Sequence, residues 1–229
     1  MRASKCESMR ENWNSSAATS PGLLLLAGGN SSRMGVPKGL LPWQGGTLLE
    51  AHCQQFCAVG GSFVVVVLGF HSSRYLKELR WLKGGDDPAL QRVIYSLNPT
   101  PENGQFSSLL EGLKCALSFR NQRRTSVFVQ PVDMPPPDKE VYFQLYHSME
   151  RGQQVAIPTF GAQSGHPVLL SYLFQRELLA LQPGSEKRLD HLIHNLPEAS
   201  IGHFPVEDRK VILNFNSPSD LSFQETQGS

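Results

Sequence analysis

Short apolar runs recur along this chain, and the segments between them carry apolar residues at helical spacing. Leu23 to Ala27, Ser62 to Leu68, Arg92 to Leu97 and Ser126 to Gln130 read as strands. The clearest is Phe63-Val64-Val65-Val66-Val67-Leu68, which is apolar at every position, as a strand covered on both faces of a parallel sheet must be. Thr47 and Glu50 form a T-x-x-E capping box that opens a helix bearing Leu48, Leu49, Cys53 and Phe56 on one side. Ser107 or Ser108 is expected to cap a second helix, with Leu109, Leu110, Leu113, Ala116 and Leu117 at helical intervals. Near the C-terminus, Val211 to Leu213 reads as a strand, followed by a helix start with Ser217 as N-cap, Pro218 at the first position and Asp220 at the third. Strands that alternate with helices in this way predict an α/β fold built on a mostly parallel sheet.

The first strand leads into the chemically richest segment. Leu23 to Pro42 reads LLLLAGGNSSRMGVPKGLLP, so paired glycines follow the apolar run, and Arg33 and Lys38 come next, five residues apart. Without a Cβ, Gly28 and Gly29 can take φ > 0 and bring backbone N–H groups close to phosphate oxygens. Arg33 offers a planar fork to phosphate and Lys38 a mobile point charge. Spacing excludes two familiar alternatives: there is no G-x-G-x-x-G, and Lys38 follows Val36-Pro37 rather than completing G-x-x-x-x-G-K-[ST]. A second motif, Val127 to Pro136, is a strand that runs into Asp133 and then two prolines. It places a carboxylate at the carboxyl end of a strand, where open α/β sheets build their ligand crevice. Taken alone, Asp-x-Pro reads as an ordinary turn as readily as a metal ligand. Mg²⁺, which takes hard oxygen ligands and often only one or two carboxylates beside substrate phosphates, would suit it.

Composition narrows the choice of partner. With 229 residues, 40% of them apolar and 18% charged, the chain can bury a sizeable core. A formal charge of +1, with no Lys/Arg cluster longer than Arg123-Arg124, speaks against nucleic acid or a membrane surface and for a small anion. The four cysteines form neither a C-x-x-C nor a disulfide-like framework, which suggests a reducing, cytoplasmic setting. Cys53 and Cys57 lie on one helical face, as core residues or, less simply, as ligands. Residues 1–21 hold no apolar core of a signal peptide and are expected to be a disordered extension, with 22–223 a single domain and 224–229 a tail. No run of eighteen apolar residues exists, so no membrane span is expected.

Leu26 through Leu49 resembles the nucleotide-binding loop of the MobA-like nucleotidyltransferases, the family of the molybdenum cofactor guanylyl- and cytidylyltransferases, with its pattern LAxGxSxRMGxxKxLLxxxGxxLL. The resemblance extends over about 22–223. It implies a Rossmann-like three-layer sandwich of the nucleotide-diphospho-sugar transferase type. It also implies transfer of a nucleoside monophosphate from a triphosphate to a phosphorylated acceptor, with Mg²⁺ as cofactor and pyrophosphate as leaving group. Arg33, Lys38 and Asp133 would be catalytic, and Leu26, Ala27, Gly28, Gly29, Ser32, Arg33 and Lys38 would line the nucleotide. Asn98-Pro99 and Gly104 to Leu109 are similar to the family stretch NPxWxxGxxxSL, which adds Asn98, Gly104, Ser107 and Ser108 to the nucleotide side, although no tryptophan stands at its position here. Asp133 would bind the metal. Asn214-Phe215-Asn216 has the asparagine form of the guanylyltransferase branch, where the other branch carries aspartates, so Asn216 is either a second metal ligand or a shaper of its turn. Gly165-His166-Pro167-Val168 resembles a string of the cytidylyltransferase branch, and His166 either faces the acceptor or is held structurally. The LAGG glycines lean towards GTP over CTP, and the acceptor of the named branches is molybdopterin. A sugar-phosphate nucleotidyltransferase and a nucleotide-binding accessory protein with little turnover are the alternatives.

Overall fold

The computed structural model describes residues 20–31, 35–84, 90–119, 124–150, 152–182, 187–216 and 220. Ser32, Arg33, Ser217, Pro218, the tail and nearly all of the expected extension lie outside them. Strands β1 (Gly22–Ala27), β4 (Val64–Leu68), β5 (Val93–Leu97) and β6 (Val127–Pro131) correspond to the four expected runs and pair in parallel, in the order β6-β1-β4-β5. β7 (Val155–Phe160), β8 (Gln163–Ser164), β9 (Val168–Leu170) and β10 (Ile201–Pro205) extend the sheet on the β6 side, with β9 antiparallel between β6 and β7. Two-residue strands β2 (Pro42–Trp43) and β3 (Gly46–Thr47) form a separate hairpin.

The unbroken leucines of β1 follow from its central place, because alternate residues face opposite sides and both sides are covered. Leu23 and Leu25 meet the helix Leu48–Ala58 (α1) through Leu49, Cys53 and Phe56, together with Tyr142. Leu24 and Leu26 meet the helix Gly104–Phe119 through Leu109, Leu110 and Leu113. The result is helix, sheet, helix, the three layers expected. Cys53 is fully buried in the first of these cores, which accounts for it as a packing residue.

The capping box is present in full: the Thr47 hydroxyl accepts from the Glu50 N–H at 3.3 Å, and Glu50 Oε2 accepts from the Thr47 N–H at 2.9 Å. Two other expectations need correction. Neither Ser107 nor Ser108 caps the second helix, which starts at Gly104 after a 3-10 turn, Pro101–Asn103. Gly104 makes the junction at φ +80°, a conformation that needs glycine, and the Ser107 hydroxyl, one turn in, donates back to the Gly104 carbonyl at 2.7 Å. Val211 to Leu213 is not a strand either. Arg209–Ile212 forms a 3-10 turn, set by the Asp208 carboxylate accepting from the Lys210 N–H at 2.9 Å, a local bond that competes with sheet pairing.

Topology fixes where a ligand can bind. From β1 the chain moves out to β4 and β5, then returns to the opposite side of β1 as β6. The reversal between β1 and β6 is a switch point, and the loops leaving β1, β4, β5 and β6 all emerge at the same, carboxyl, edge of the sheet.

Candidate functional site

Those four loops enclose a cavity of about 420 Å³, whose wall includes Leu26, Ala27, Gly28, Gly29, Lys38, Gly104, Ser108 and Asp133. Gly28 and Gly29 do not supply the φ > 0 turn expected of them; within the described part of this loop Ser31 and Gly35 take positive φ, at 48° and 65°. The Ser31 hydroxyl accepts from the Lys38 N–H at 3.2 Å, which closes the loop on itself. Gly28 is required for space instead. A Cβ there would stand 2.6 Å from the Ser108 hydroxyl.

Asn98 organises the wall behind Gly28. Its Nδ2 donates to the Ser107 and Ser108 hydroxyls at 2.8 and 2.9 Å, and its Oδ1 accepts from the Thr100 N–H at 3.0 Å. Of this stretch Pro101, Gly104, Gln105 and Ser108 line the cavity, whereas the buried Asn98 and Ser107 are not part of its wall.

Lys38, Asp133 and Asn216 lie far apart in sequence and meet at one point. Lys38 Nζ donates to Asp133 Oδ2 at 2.9 Å and to Asn216 Oδ1 at 3.1 Å. Each of the three is held by backbone. Gly39, next to the lysine, donates its N–H to the buried Tyr75 hydroxyl at 3.0 Å. The Phe215 N–H donates to the Asp133 carbonyl at 2.7 Å, which ties the C-terminal segment to the β6 loop. The Asn216 N–H is satisfied by the Asp220 carboxylate at 2.7 Å.

His52, on α1, holds the backbone of Met134, the residue after Asp133. Its Nε2 lies 2.9 Å from the Met134 carbonyl, so Nε2 carries the proton, while Nδ1 is buried without a partner. Burial holds its pKa down at about 4, against smaller raising effects of the Met134 bond and the Asp133 charge. Since the folded value lies below the ordinary 6.5, the unfolded chain binds the extra proton, and stability is full above about pH 6.5 and declines as pH falls towards 4. The expected loss from this residue is about 3 kcal/mol. Urea unfolding at pH 7 and pH 4.5 should show His52→Gln losing less stability between the two than the parent chain.

His166 is placed elsewhere. It lines a second cavity, of about 600 Å³, which shares Leu26, Gly104 and Gln105 with the first and adds Arg188, Asp190, His194 and His203. Burial lowers the His166 pKa to about 4, despite the raising effect of Asp133 and Asp190, so its imidazole is neutral near pH 7 and acts there as a hydrogen-bonding group rather than a charge. The second cavity was not legible in the sequence beyond His166, because its residues come from eight separate helices and strands and the loops between them. Tyr75 and His52 were missed for the same reason: each acts through a residue distant in the chain, Gly39 and Met134 respectively.

An open α/β sheet with a glycine loop, a lysine and a carboxylate at its switch point has its ligand crevice lined with groups suited to an anionic ligand such as a phosphate. The model of the MobA-like NTP transferase domain matches residues 23–199, and the chain belongs to that family of nucleotidyltransferases. The chain is 23% identical over 205 residues to the molybdenum cofactor cytidylyltransferase of Escherichia coli K12, covering 86% of this chain and 92% of that one. Among solved structures, Rv0371c of Mycobacterium tuberculosis H37Rv in complex with manganese superposes with a TM-score of 0.64 at 21% identity, over 90% of this chain and 98% of that one. The molybdopterin-guanine dinucleotide biosynthesis protein A of Archaeoglobus fulgidus gives 0.63 at 19% identity, over 89% and 96%. Among the described residues no helix is long and apolar enough to cross a membrane.

Proposed function

We propose that this chain transfers a nucleoside monophosphate from a nucleoside triphosphate to the phosphate of a small acceptor, releasing pyrophosphate in a Mg²⁺-dependent reaction. The observation that carries this reading is the meeting of Lys38, Asp133 and Asn216 at the switch point. A carboxylate and an amide oxygen already converge on one cationic atom, the Lys38 ammonium, so the donor set suits a hard cation. Asp133 and Asn216 would hold the ion, and when bound it supplies charge neutralisation and Lewis acidity at the phosphoryl oxygens. The relative with manganese bound supports a divalent ion at this fold.

The chain's own groups then act by alignment and charge. An acceptor phosphate oxygen attacks the α-phosphorus, the bond from that phosphorus to the bridging oxygen breaks, and the electron pair leaves with pyrophosphate. Lys38, and Arg33 from the same loop, stabilise the charge that builds on the leaving group. The second cavity takes the acceptor. Phe106, Leu109 and Ile157 give it an apolar wall, while His166 and Arg188 offer polar groups, which fits a ring-bearing phosphate such as molybdopterin.

GTP is the proposed donor. Gly29 lines the first cavity and a Cβ added to it would meet nothing within 4 Å, so its missing methyl leaves open room for the larger purine. Equilibrium binding with Mg²⁺ tests this, and tighter binding of CTP than GTP would refute it. The transfer itself is tested by pyrophosphate release with each of the four triphosphates against molybdopterin, sugar phosphates and other phosphorylated alcohols. Release that requires both a triphosphate and a phosphorylated acceptor is expected; absence of release with every pair sinks the reading.

A further inference from the structure

The carboxyl end of β4 brings to the first cavity a residue that none of the motifs contains. Phe70 is 46% exposed and lines the cavity together with Gly28, Gly29 and Pro101. Its position is set by close packing. A Cβ on Gly69 would stand 2.5 Å from the Gly28 carbonyl oxygen and 3.0 Å from Pro101 Cβ, so only glycine lets the β4 loop lie directly against the phosphate loop. The Phe70 N–H donates to the Gly28 carbonyl at 3.4 Å, and the His71 imidazole Nε2 donates to the Asn30 carbonyl. The aromatic is thus anchored to the glycine loop at its own amide and at the next residue.

Strand order gives the cavity a direction. Asp133, with Lys38 bonded to it, follows β6, whereas Phe70 follows β4 and Pro101 lies beyond β5. β6 and β4 flank β1, so the strands that lead to the charged and the apolar ends are two spacings apart, roughly 10 Å. A nucleoside triphosphate has the same polarity: anionic at one end and a flat apolar-faced ring at the other. With the phosphates at Lys38, the ring reaches the β4 side.

We infer that Phe70 is the stacking platform for the nucleobase. The inference rests on the proposed function, since it presumes a nucleoside triphosphate in this cavity. It adds a specific consequence: every base has a π-face, so Phe70 contributes affinity without choosing the base. Selection between purine and pyrimidine is left to the space at Gly29 and to polar groups around the ring edge.

Binding of GTP, ATP, CTP, UTP and inorganic tripolyphosphate, each with Mg²⁺, to the parent chain, Phe70→Ala and Phe70→Tyr tests this. Phe70→Ala should weaken all four nucleotides by about tenfold while leaving tripolyphosphate affinity unchanged. Phe70→Tyr, which keeps the ring, should bind like the parent. Unchanged nucleotide affinity in Phe70→Ala overturns the inference while the phosphate loop stands. Equal weakening of tripolyphosphate overturns it too, because Phe70 would then act by shaping the loop. A parent chain that binds tripolyphosphate and nucleotides equally well also overturns it. If the parent binds no nucleotide at all, the proposed function itself fails and takes this inference with it.

Discussion

Asp133→Asn is expected to lower turnover by at least 10²-fold, equivalent to about 3 kcal/mol or more of transition-state stabilisation. Asp133 and Asn216 converge on the Lys38 ammonium, and of the two only Asp133 is a carboxylate, so its replacement removes a full charge and a strong oxygen ligand together. Asn216 offers only an amide dipole, so Asn216→Ala should cost less, and Asn216→Asp should preserve or tighten Mg²⁺ binding by adding a second carboxylate. Activity measured across a Mg²⁺ titration ranks the three. If Asp133→Asn keeps the parent's Mg²⁺ dependence while Asn216→Ala abolishes it, the order is inverted and the metal belongs to the C-terminal segment. Folding should change little in all three, because Asp133 is 29% exposed and its ion pair is partly screened by water.

Lys38→Ala is expected to move two measurements in opposite directions. Turnover should fall by on the order of 10²-fold or more, since in the proposed reaction the ammonium stabilises charge that develops on the departing pyrophosphate. Metal affinity in the absence of nucleotide should rise, because Lys38 Nζ lies 2.9 Å and 3.1 Å from the two oxygens assigned to the metal and competes for them. Calorimetric titration with Mn²⁺ or Mg²⁺ alone, set beside pyrophosphate release, checks both. Near-normal turnover would remove Lys38 from the reaction, and unchanged metal affinity would place the ion elsewhere. The two variants together separate roles that a loss of activity alone would merge: Asp133→Asn should weaken the metal and Lys38→Ala should strengthen it.

The core strands and the capping box were legible in the sequence because their causes are local. Leu23 to Ala27 and Val64 to Leu68 are apolar at every position, which suits strands covered on both faces, and the Thr47–Glu50 box needs only the four residues that form it. The start of the second long helix was misplaced for a reason that lies in the competition between local bonds. The Ser107 hydroxyl can cap a helix or bond back inside one, and Gly104, free to take φ +80°, decided for the latter. The Val211 to Leu213 segment shows the same limit: its composition suits a strand, but the Asp208 carboxylate, bonded to the Lys210 N–H, turns it into a 3-10 coil.

What the sequence by itself determined is the family, the α/β class and the identity of Lys38 and Asp133 as the charged groups worth testing, since residue type and spacing along one strand-and-loop unit carry that information. Only the tertiary structure decided that Lys38, Asp133 and Asn216 share one point, that Gly28 serves close packing rather than a left-handed turn, and that Phe70 and His52 stand beside the site. Those facts depend on which strands neighbour which. The carboxyl ends of β1, β4, β5 and β6 become one surface only once the sheet order is set, and that order comes from long-range packing on both faces of the sheet, not from any pattern within a single segment.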